Sequence, residues 1–289
     1  MSVRDVIFSI ASSNGLNLEN YIAVSGGDIS RAYLLHTSDG NFFLKLNSDH
    51  VSEDMFNVEA KGLQILAAAK AIKIPDVIGH GRIGDYAYLL LEAIKIKNET
   101  PSDLETLGEQ LAQLHLSTAE QFGLDHSNFI GSLHQSNDFH EDWTTFYIAE
   151  RLWPQYQLAL SKGLLTNTDI PYVEQMTVCC DNLFEDIKPS LLHGDLWSGN
   201  YLIDQQGLPV LIDPAVYYGH HEVDIAMSRL FGGFSSDFYS AYEYHFPVTE
   251  GYEDRMDLYQ LYYLLVHLNL FGGSYYGSVM RLTKRLFSL

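Results

Sequence analysis

Basic residues are scarce in this chain: 17 Lys and Arg stand against 37 Asp and Glu, a formal net charge of −20 at pH 7. Nucleic-acid binding rests on phosphate neutralisation by Lys and Arg, so this balance argues against a nucleic-acid partner. It equally disfavours docking on anionic membranes. Cysteine is nearly absent. The two present, Cys179 and Cys180, are adjacent, and neighbouring cysteines rarely pair because the bridge is strained. No disulfide framework is implied, as expected in a reducing compartment. No apolar run reaches the length of a membrane span. The opening stretch MSVRDVIFSIASSNG is interrupted at Asp5 and lacks a signal-peptide core and cleavage site. Low-complexity tracts and internal repeats are missing too. The expectation is a soluble, cytoplasmic protein with no membrane and no nucleic acid among its partners.

What is there is an ordinary globular balance. The chain has 289 residues, 46% hydrophobic and 19% charged, enough for one large domain or two modest lobes sharing a cleft. Strands are expected at 21–24, 31–36 and 41–46, separated by the turns Ser25-Gly26-Gly27-Asp28 and Ser38-Asp39-Gly40. A helix should follow, N-capped by Ser52, with Phe56, Ala60, Leu63 and Ala67 as its core stripe. Glu59 lies beside that stripe, where an acid needs a partner. Residues 77–81 and 86–92 read as further strands, and 93–98 as a linker. The rest is mainly helical. Ser102-x-x-Glu105 is a capping-box pattern before Leu104, Leu107, Leu111 and Leu114. A helix over 143–160 should be interrupted near Pro154. Leu258, Leu261, Leu265 and Leu268 mark a nearly all-apolar helix that stops at Gly272-Gly273. The expected fold is α+β: a small sheet lobe with one helix over 1–92, a linker at 93–98, and a larger helical lobe over 99–289.

The most informative stretch is SLLHGDLWSGNYLIDQQGLPVLIDPA, residues 190–215. Two apolar segments flank the turn Asp204-Gln205-Gln206-Gly207, a hairpin signal. His193-Gly194-Asp195-x-x-x-x-Asn200 precedes the first strand and Asp213 follows the second. A hairpin brings its two ends together, so Asn200 and Asp213 converge with Asp195 close by. Phosphoryl transfer needs oxygen ligands for Mg²⁺ and a carboxylate to orient or deprotonate the attacking hydroxyl. In protein kinases, H-R-D-x-x-x-x-N and D-F-G supply those groups at the same Asp-to-Asn interval. On that pattern Asp195 is the base, Asn200 and Asp213 are Mg²⁺ ligands, and His193 supports the loop. Lys45 in a strand and Glu59 in the next helix would form the pair that holds the ATP phosphates. Gly26 and Gly27 could bring backbone N–H groups to phosphate, and Glu92 ends the strand where adenine would meet the linker.

These motifs resemble the fructosamine (ketosamine) kinase family, relatives of the aminoglycoside and choline kinases. The resemblance rests on LLHGDLWSGN at 191–200, FFLKLN at 42–47, FNVEAKGL at 56–63 and LGEQLAQLH at 107–115. DPAVYYG at 213–219, EVDIAMSRLFGGF at 222–234 and LYQLYYLLVHLNLFGGSY at 258–275 extend it to the C-terminus. It implies a protein-kinase-like two-lobed fold and ATP-dependent phosphorylation of the sugar 3-hydroxyl of ketosamines, free or on a glycated protein. The phosphorylated adduct then decomposes and frees the amine. The resemblance also implies that Trp197 lies at the sugar site and that Asp224 braces the catalytic loop through backbone hydrogen bonds. His220 stands where the family usually has Asp, and Leu133-His134 where it has Thr-Pro, which leaves the exact acceptor open.

Two other readings compete. A kinase for a different hydroxyl acceptor, an aminoglycoside or choline-like molecule, would have the same core. A non-catalytic nucleotide-binding protein would have lost a base or a ligand, and here all five are present. His220, His221 and Glu222 are metal-ligand types, but adjacent His and Glu in a loop are more often solvated, and no zinc is expected there.

Overall fold

The computed structural model describes residues 1–24, 30–49 and 51–288. The chain opens with helix α1 (Val3–Ser13), where Ser2 accepts from the Asp5 amide and Asp5 accepts from the Ser2 amide, a reciprocal cap. Strands β1 (Leu18–Val24), β2 (Arg31–Thr37) and β3 (Gly40–Asn47) follow, then helix α2 (Ser52–Ala69) and strands β4 (Val77–Ile83) and β5 (Tyr86–Glu92). The five strands form one antiparallel sheet in the order β1-β2-β3-β5-β4.

Strand alternation decides what each face of this sheet does. Leu44, Leu46, Tyr88 and Leu90 pack against Val6, Ile7 and Ile10 of α1. The intervening residues, Ala87, Leu89 and Leu91, join Phe56, Ala60 and Leu63 of α2 in the main core. Lys45 sits between Leu44 and Leu46 and opposite Leu89, so its side chain shares the α2 face. The sequence reading gave this lobe one helix. It has two, because α1 is needed to cover the face that α2 leaves open.

Helix α3 (Pro101–His115) opens the larger lobe. Its reciprocal cap is Thr100 with Asp103, not Ser102 with Glu105, and Pro101 occupies the first turn where its missing N–H costs nothing. The N-cap position of α2 is Val51, not Ser52, and makes no side-chain cap. Ala67 is exposed, and the buried stripe of α2 ends on Leu66. The short hairpin β6 (Asn128–Ile130) and β7 (Leu133–Gln135) comes next. Helix α4 (Trp143–Phe146) runs through a π-helical turn (Tyr147–Leu152) into α5 (Trp153–Ser161), with Pro154 in the first turn of α5. The expected interruption near Pro154 is therefore the π segment before it. Helix α6 (Val173–Leu183) leads to four short strands: β8 (Ser190–Leu192), β9 (Tyr201–Ile203), β10 (Pro209–Leu211) and β11 (Tyr217–Gly219). β9 pairs with β10 and β8 with β11. Helices α7 (Glu222–Leu230), α8 (Ser236–His245), α9 (Tyr252–Phe271) and α10 (Tyr276–Phe287) complete the chain. α9 is buried on most of its surface and ends at Gly272. Among the described residues, no helix is long and apolar enough to cross a membrane.

Candidate active site

Hairpin β9–β10 does what its sequence requires. Asp204 is buried at the turn, accepting from the amides of Gln206 and Leu208 and from Lys73 Nζ at 3.0 Å. The paired strands bring Asn200 and Ile212 together, with the Ile212 amide donating to the Asn200 carbonyl at 3.0 Å. Asn200 Nδ2 then donates to the Asp195 carbonyl at 2.8 Å and to Asp195 Oδ2 at 3.2 Å, and reaches the Asp213 carbonyl at 3.5 Å. Asp195, Asn200 and Asp213 thus form one cluster, although 18 positions separate the first from the last.

Lys45 connects this cluster to the sheet lobe. Its Nζ lies 2.7 Å from Glu59 Oε1 and 2.6 Å from Asp213 Oδ1. Burial works against the Lys45 charge, but the two carboxylates outweigh it and push the ammonium's pKa up. Burial and the Asp213 charge raise the Glu59 carboxyl, with Lys45 opposing. Asp213 holds a backbone φ of 54°, in the left-handed region that non-glycine residues avoid.

The loop before Asp195 is held from below. Asp224, fully buried near the start of α7, accepts from the amides of His193 and Gly194, each at 2.8 Å. His115 Nε2 bonds the same carboxylate at 3.1 Å. His193 Nδ1 accepts from the Asp195 amide at 3.2 Å, so Nε2 carries the proton and donates to the Ile212 carbonyl at 2.8 Å. Burial keeps this imidazole neutral by lowering its pKa. The Ala215 amide donates to the His193 carbonyl at 2.9 Å. Gly194 sits so close to the Ala215 carbonyl, at φ 82°, that a Cβ there would collide with it.

The Asp195 carboxyl is strongly perturbed. Burial first, and the neighbouring Asp213 charge second, raise its carboxyl from 3.8 to about 7. A carboxyl poised near neutrality suits proton acceptance from an alcohol. Asp213 is partly exposed, its side chain 40% accessible. With Asn200 donating from Nδ2, its amide oxygen is the atom left for a cation. These are hard oxygen donors, the set that suits Mg²⁺. Trp197 is 40% exposed and lies over Gly199, an arrangement closer to a cleft aromatic than to a core residue.

Other sequence-predicted residues fall elsewhere. Gly26 and Gly27 lie outside the described residues. Glu92 ends β5 opposite Phe42, and its amide and carboxylate hydrogen-bond Asp76. His220, His221 and Glu222 do converge, with ligand atoms within 4.8 Å, and the expectation that they are solvated is overturned. His220 and Glu222 are buried, because the start of α7 packs beneath α9. His220 Nδ1 bonds Tyr259 Oη, and Glu222 is held in a fork by Arg255. Each side chain already has a protein partner. His115 and Tyr263 were missed as supports of the loop, for want of any local pattern that marks them.

A family model described as fructosamine kinase matches residues 4–288. A protein named "Probable ketoamine kinase" from Lactiplantibacillus plantarum is 44% identical over 261 residues, covering 90% of this chain and 91% of the relative. The Protein-ribulosamine 3-kinase, chloroplastic, of Arabidopsis thaliana is 38% identical over 266 residues, covering 89% and 79%. A solved structure of a candidate fructosamine-3-kinase from Thermobifida fusca YX-ER1 superposes with a TM-score of 0.87 at 31% identity, covering 100% of both chains. The aminoglycoside phosphotransferase APH(4)-Ia shares the fold, with a TM-score of 0.63 at 16% identity and coverage of 98% and 99%.

Proposed function

The chain belongs to the fructosamine kinase family, and from that premise we propose that it transfers the γ-phosphoryl group of ATP to the sugar 3-hydroxyl of a ketosamine. Support comes from a family match spanning 4–288 together with the convergence of Lys45, Glu59, Asp195, Asn200 and Asp213. The kinase-type set is complete, which disfavours a non-catalytic binding protein. The names of the relatives favour a ketosamine over an aminoglycoside or choline-like acceptor.

In this reading Asp195 takes the proton of the sugar hydroxyl while that oxygen forms its bond to the γ-phosphorus and ADP departs. Its carboxyl, at about 7, is matched to the task at neutral pH. Lys45 orients the ATP phosphates and Glu59 orients Lys45. Asp213 and Asn200 would hold Mg²⁺, which when bound neutralises charge on the phosphates. Asp224 and His193 keep the loop in register. Trp197 lines the sugar site and Glu92 marks the adenine end of the cleft. The boundaries that go with these roles are 1–92, 93–98 and 99–289. Phosphorylation destabilises the adduct and releases the amine, so the outcome is deglycation of a small amine or of a protein. Two free thiols favour a reducing, cytoplasmic setting.

The test is ATP turnover with Mg²⁺ on ribulosyl-lysine and fructosyl-lysine, compared with an aminoglycoside and choline. Turnover confined to the two ketosamines is expected. Turnover only on the other two would retain the residue roles and overturn the substrate class.

A further inference from the structure

Asp213 is asked to do two things from a costly backbone conformation. Its carboxylate meets Lys45, and in the reading above it also holds the cation. A non-glycine residue at φ 54° persists only where its surroundings over-determine it. Ile212 is held on one side by Asn200 and His193, and the segment that follows, Pro214 to Tyr217, supplies the restraint on the other.

That segment is held by hairpin β6–β7, which lies far from it in sequence. Asn128 and Gln135 face each other across the hairpin, and both are buried. Asn128 Nδ2 donates to the Val216 carbonyl at 2.7 Å. Gln135 Nε2 donates to Asn128 Oδ1 at 2.8 Å and reaches the Ala215 carbonyl at 3.4 Å. Tyr262 Oη donates to Gln135 Oε1 at 2.5 Å. The next residue of α9, Tyr263, donates to the Gly194 carbonyl at 2.8 Å. Two consecutive tyrosines of the central helix thus hold the two loops of the site, one directly and one through Gln135. Buried amides of this kind are costly to strand, so the network has one low-energy arrangement.

We propose that Gln135, with Asn128, is a positioning residue for phosphoryl transfer, fixing the Ala215–Val216 backbone so that Asp213 stays in its strained conformation facing Lys45 and the cation. The inference rests on the functional reading only in taking Asp213 as a ligand. Gln135 touches no reacting atom. Its loss lets the 214–217 backbone relax, and Asp213 drifts, its carbonyl away from Asn200 Nδ2 and its carboxylate away from Lys45.

The experiment uses the full chain as Gln135→Met, which keeps the volume and removes the amide, and as Tyr262→Phe, which removes one hydroxyl. ATP affinity is measured by calorimetry with Mg²⁺ and with EDTA, beside turnover and Tm. The expected loss is about 10-fold or more in the Mg²⁺-dependent affinity for Gln135→Met, within the range for residues that orient metal ligands. Affinity in EDTA should stay within about 2-fold of wild type, since Lys45 keeps its ion pair with Glu59 when Asp213 shifts. Tyr262→Phe should move the same ratio in the same direction. An unchanged ratio, or equal losses with and without Mg²⁺, would overturn the proposal even if Tm falls. If Gln135→Met does not fold, Tyr262→Phe decides alone, an unchanged ratio counting against. Failure of the wild type on every ketosamine would sink the substrate reading, and the Mg²⁺ ratio would still decide the role of Gln135.

Discussion

In the proposed mechanism Asp195 combines a chemical role with a cost to the fold, and one substitution separates them. Asp195→Asn keeps the shape and removes the proton acceptor, so kcat should fall by about 10²–10⁴. The same change removes a half-buried carboxylate that stands beside Asp213. A carboxyl raised from 3.8 to about 7 binds a proton more tightly folded than unfolded. Stability therefore falls as pH rises from about 4 to about 7, and the penalty is constant above that. In EDTA, the Tm of Asp195→Asn minus that of wild type should grow across this window and then level off. A difference that shrinks with pH would place the perturbation elsewhere. In the cysteines the same burial suppresses reactivity. Burial pushes the Cys179 thiol up to about 11 and Cys180 well above the ordinary range. At pH 8 the native Cys179 should react with iodoacetamide about 10²-fold more slowly than an unfolded thiol, because the thiolate is the nucleophile. Mass spectrometry of native and urea-treated samples checks this.

Helices α7 and α9 are joined by an ion pair whose loss should be felt in stability. Arg255 Nε and Nη2 fork onto Glu222 at 2.7 and 2.8 Å, and its Nη2 also donates to Thr249 Oγ1 at 2.7 Å. Both charged groups are buried. Arg255→Met strands the Glu222 carboxylate, a change that costs about 3–5 kcal/mol. Adding Glu222→Gln should return part of that loss, which urea denaturation of the single and double variants would measure. This coupling illustrates which elements could be read from the chain. Hairpin β9–β10 was legible because turn chemistry and two apolar runs sit within 11 residues of each other. α9 was legible because leucines recur at helical spacing and glycines stop it. The cluster of Asp195, Asn200 and Asp213 followed from the hairpin alone. Three-residue strands such as β6 and β7 carry too little pattern, and α1 shows only four buried positions. Partners such as Arg255 with Glu222, or Gln135 with Tyr262, are 33 and 127 positions apart. Nothing local encodes such pairs, since tertiary packing chooses them. The same packing buried His220 and Glu222, which their loop context made look solvated.

At the scale of the whole molecule, the two lobes must keep Lys45 and Glu59 in register with Asp213. The Lys45 ion pair with Asp213 is one tie across the cleft. The Lys73 ion pair with Asp204, beside the pairing of residue 73 with Val210, is a second. The third is apolar. Gly62 of α2 lies against the segment after Asp213, where a Cβ would stand 3.3 Å from Val216 Cγ2 and 3.4 Å from Pro214 Cγ. Glycine inside a helix costs about 1 kcal/mol relative to alanine, so close approach is its compensating reason here. Gly62→Ala adds helix propensity and a tight methyl contact, two effects of similar size, so its Tm should lie near that of wild type. Gly62→Leu cannot be accommodated without moving α2 away from Pro214 and Val216, and overpacking of this kind costs about 1–3 kcal/mol. Glu59 is three residues back on the same helix and moves with it. Turnover should therefore fall about 10-fold or more in Gly62→Leu, since a shift of about 1 Å at a positioned group can cost 10²-fold. Gly62→Ala should retain most activity. Steady-state kinetics beside thermal unfolding distinguish the outcomes. A Gly62→Leu protein that is folded and fully active would mean that the lobes adjust independently of this contact, leaving Lys45 and Lys73 to hold the register.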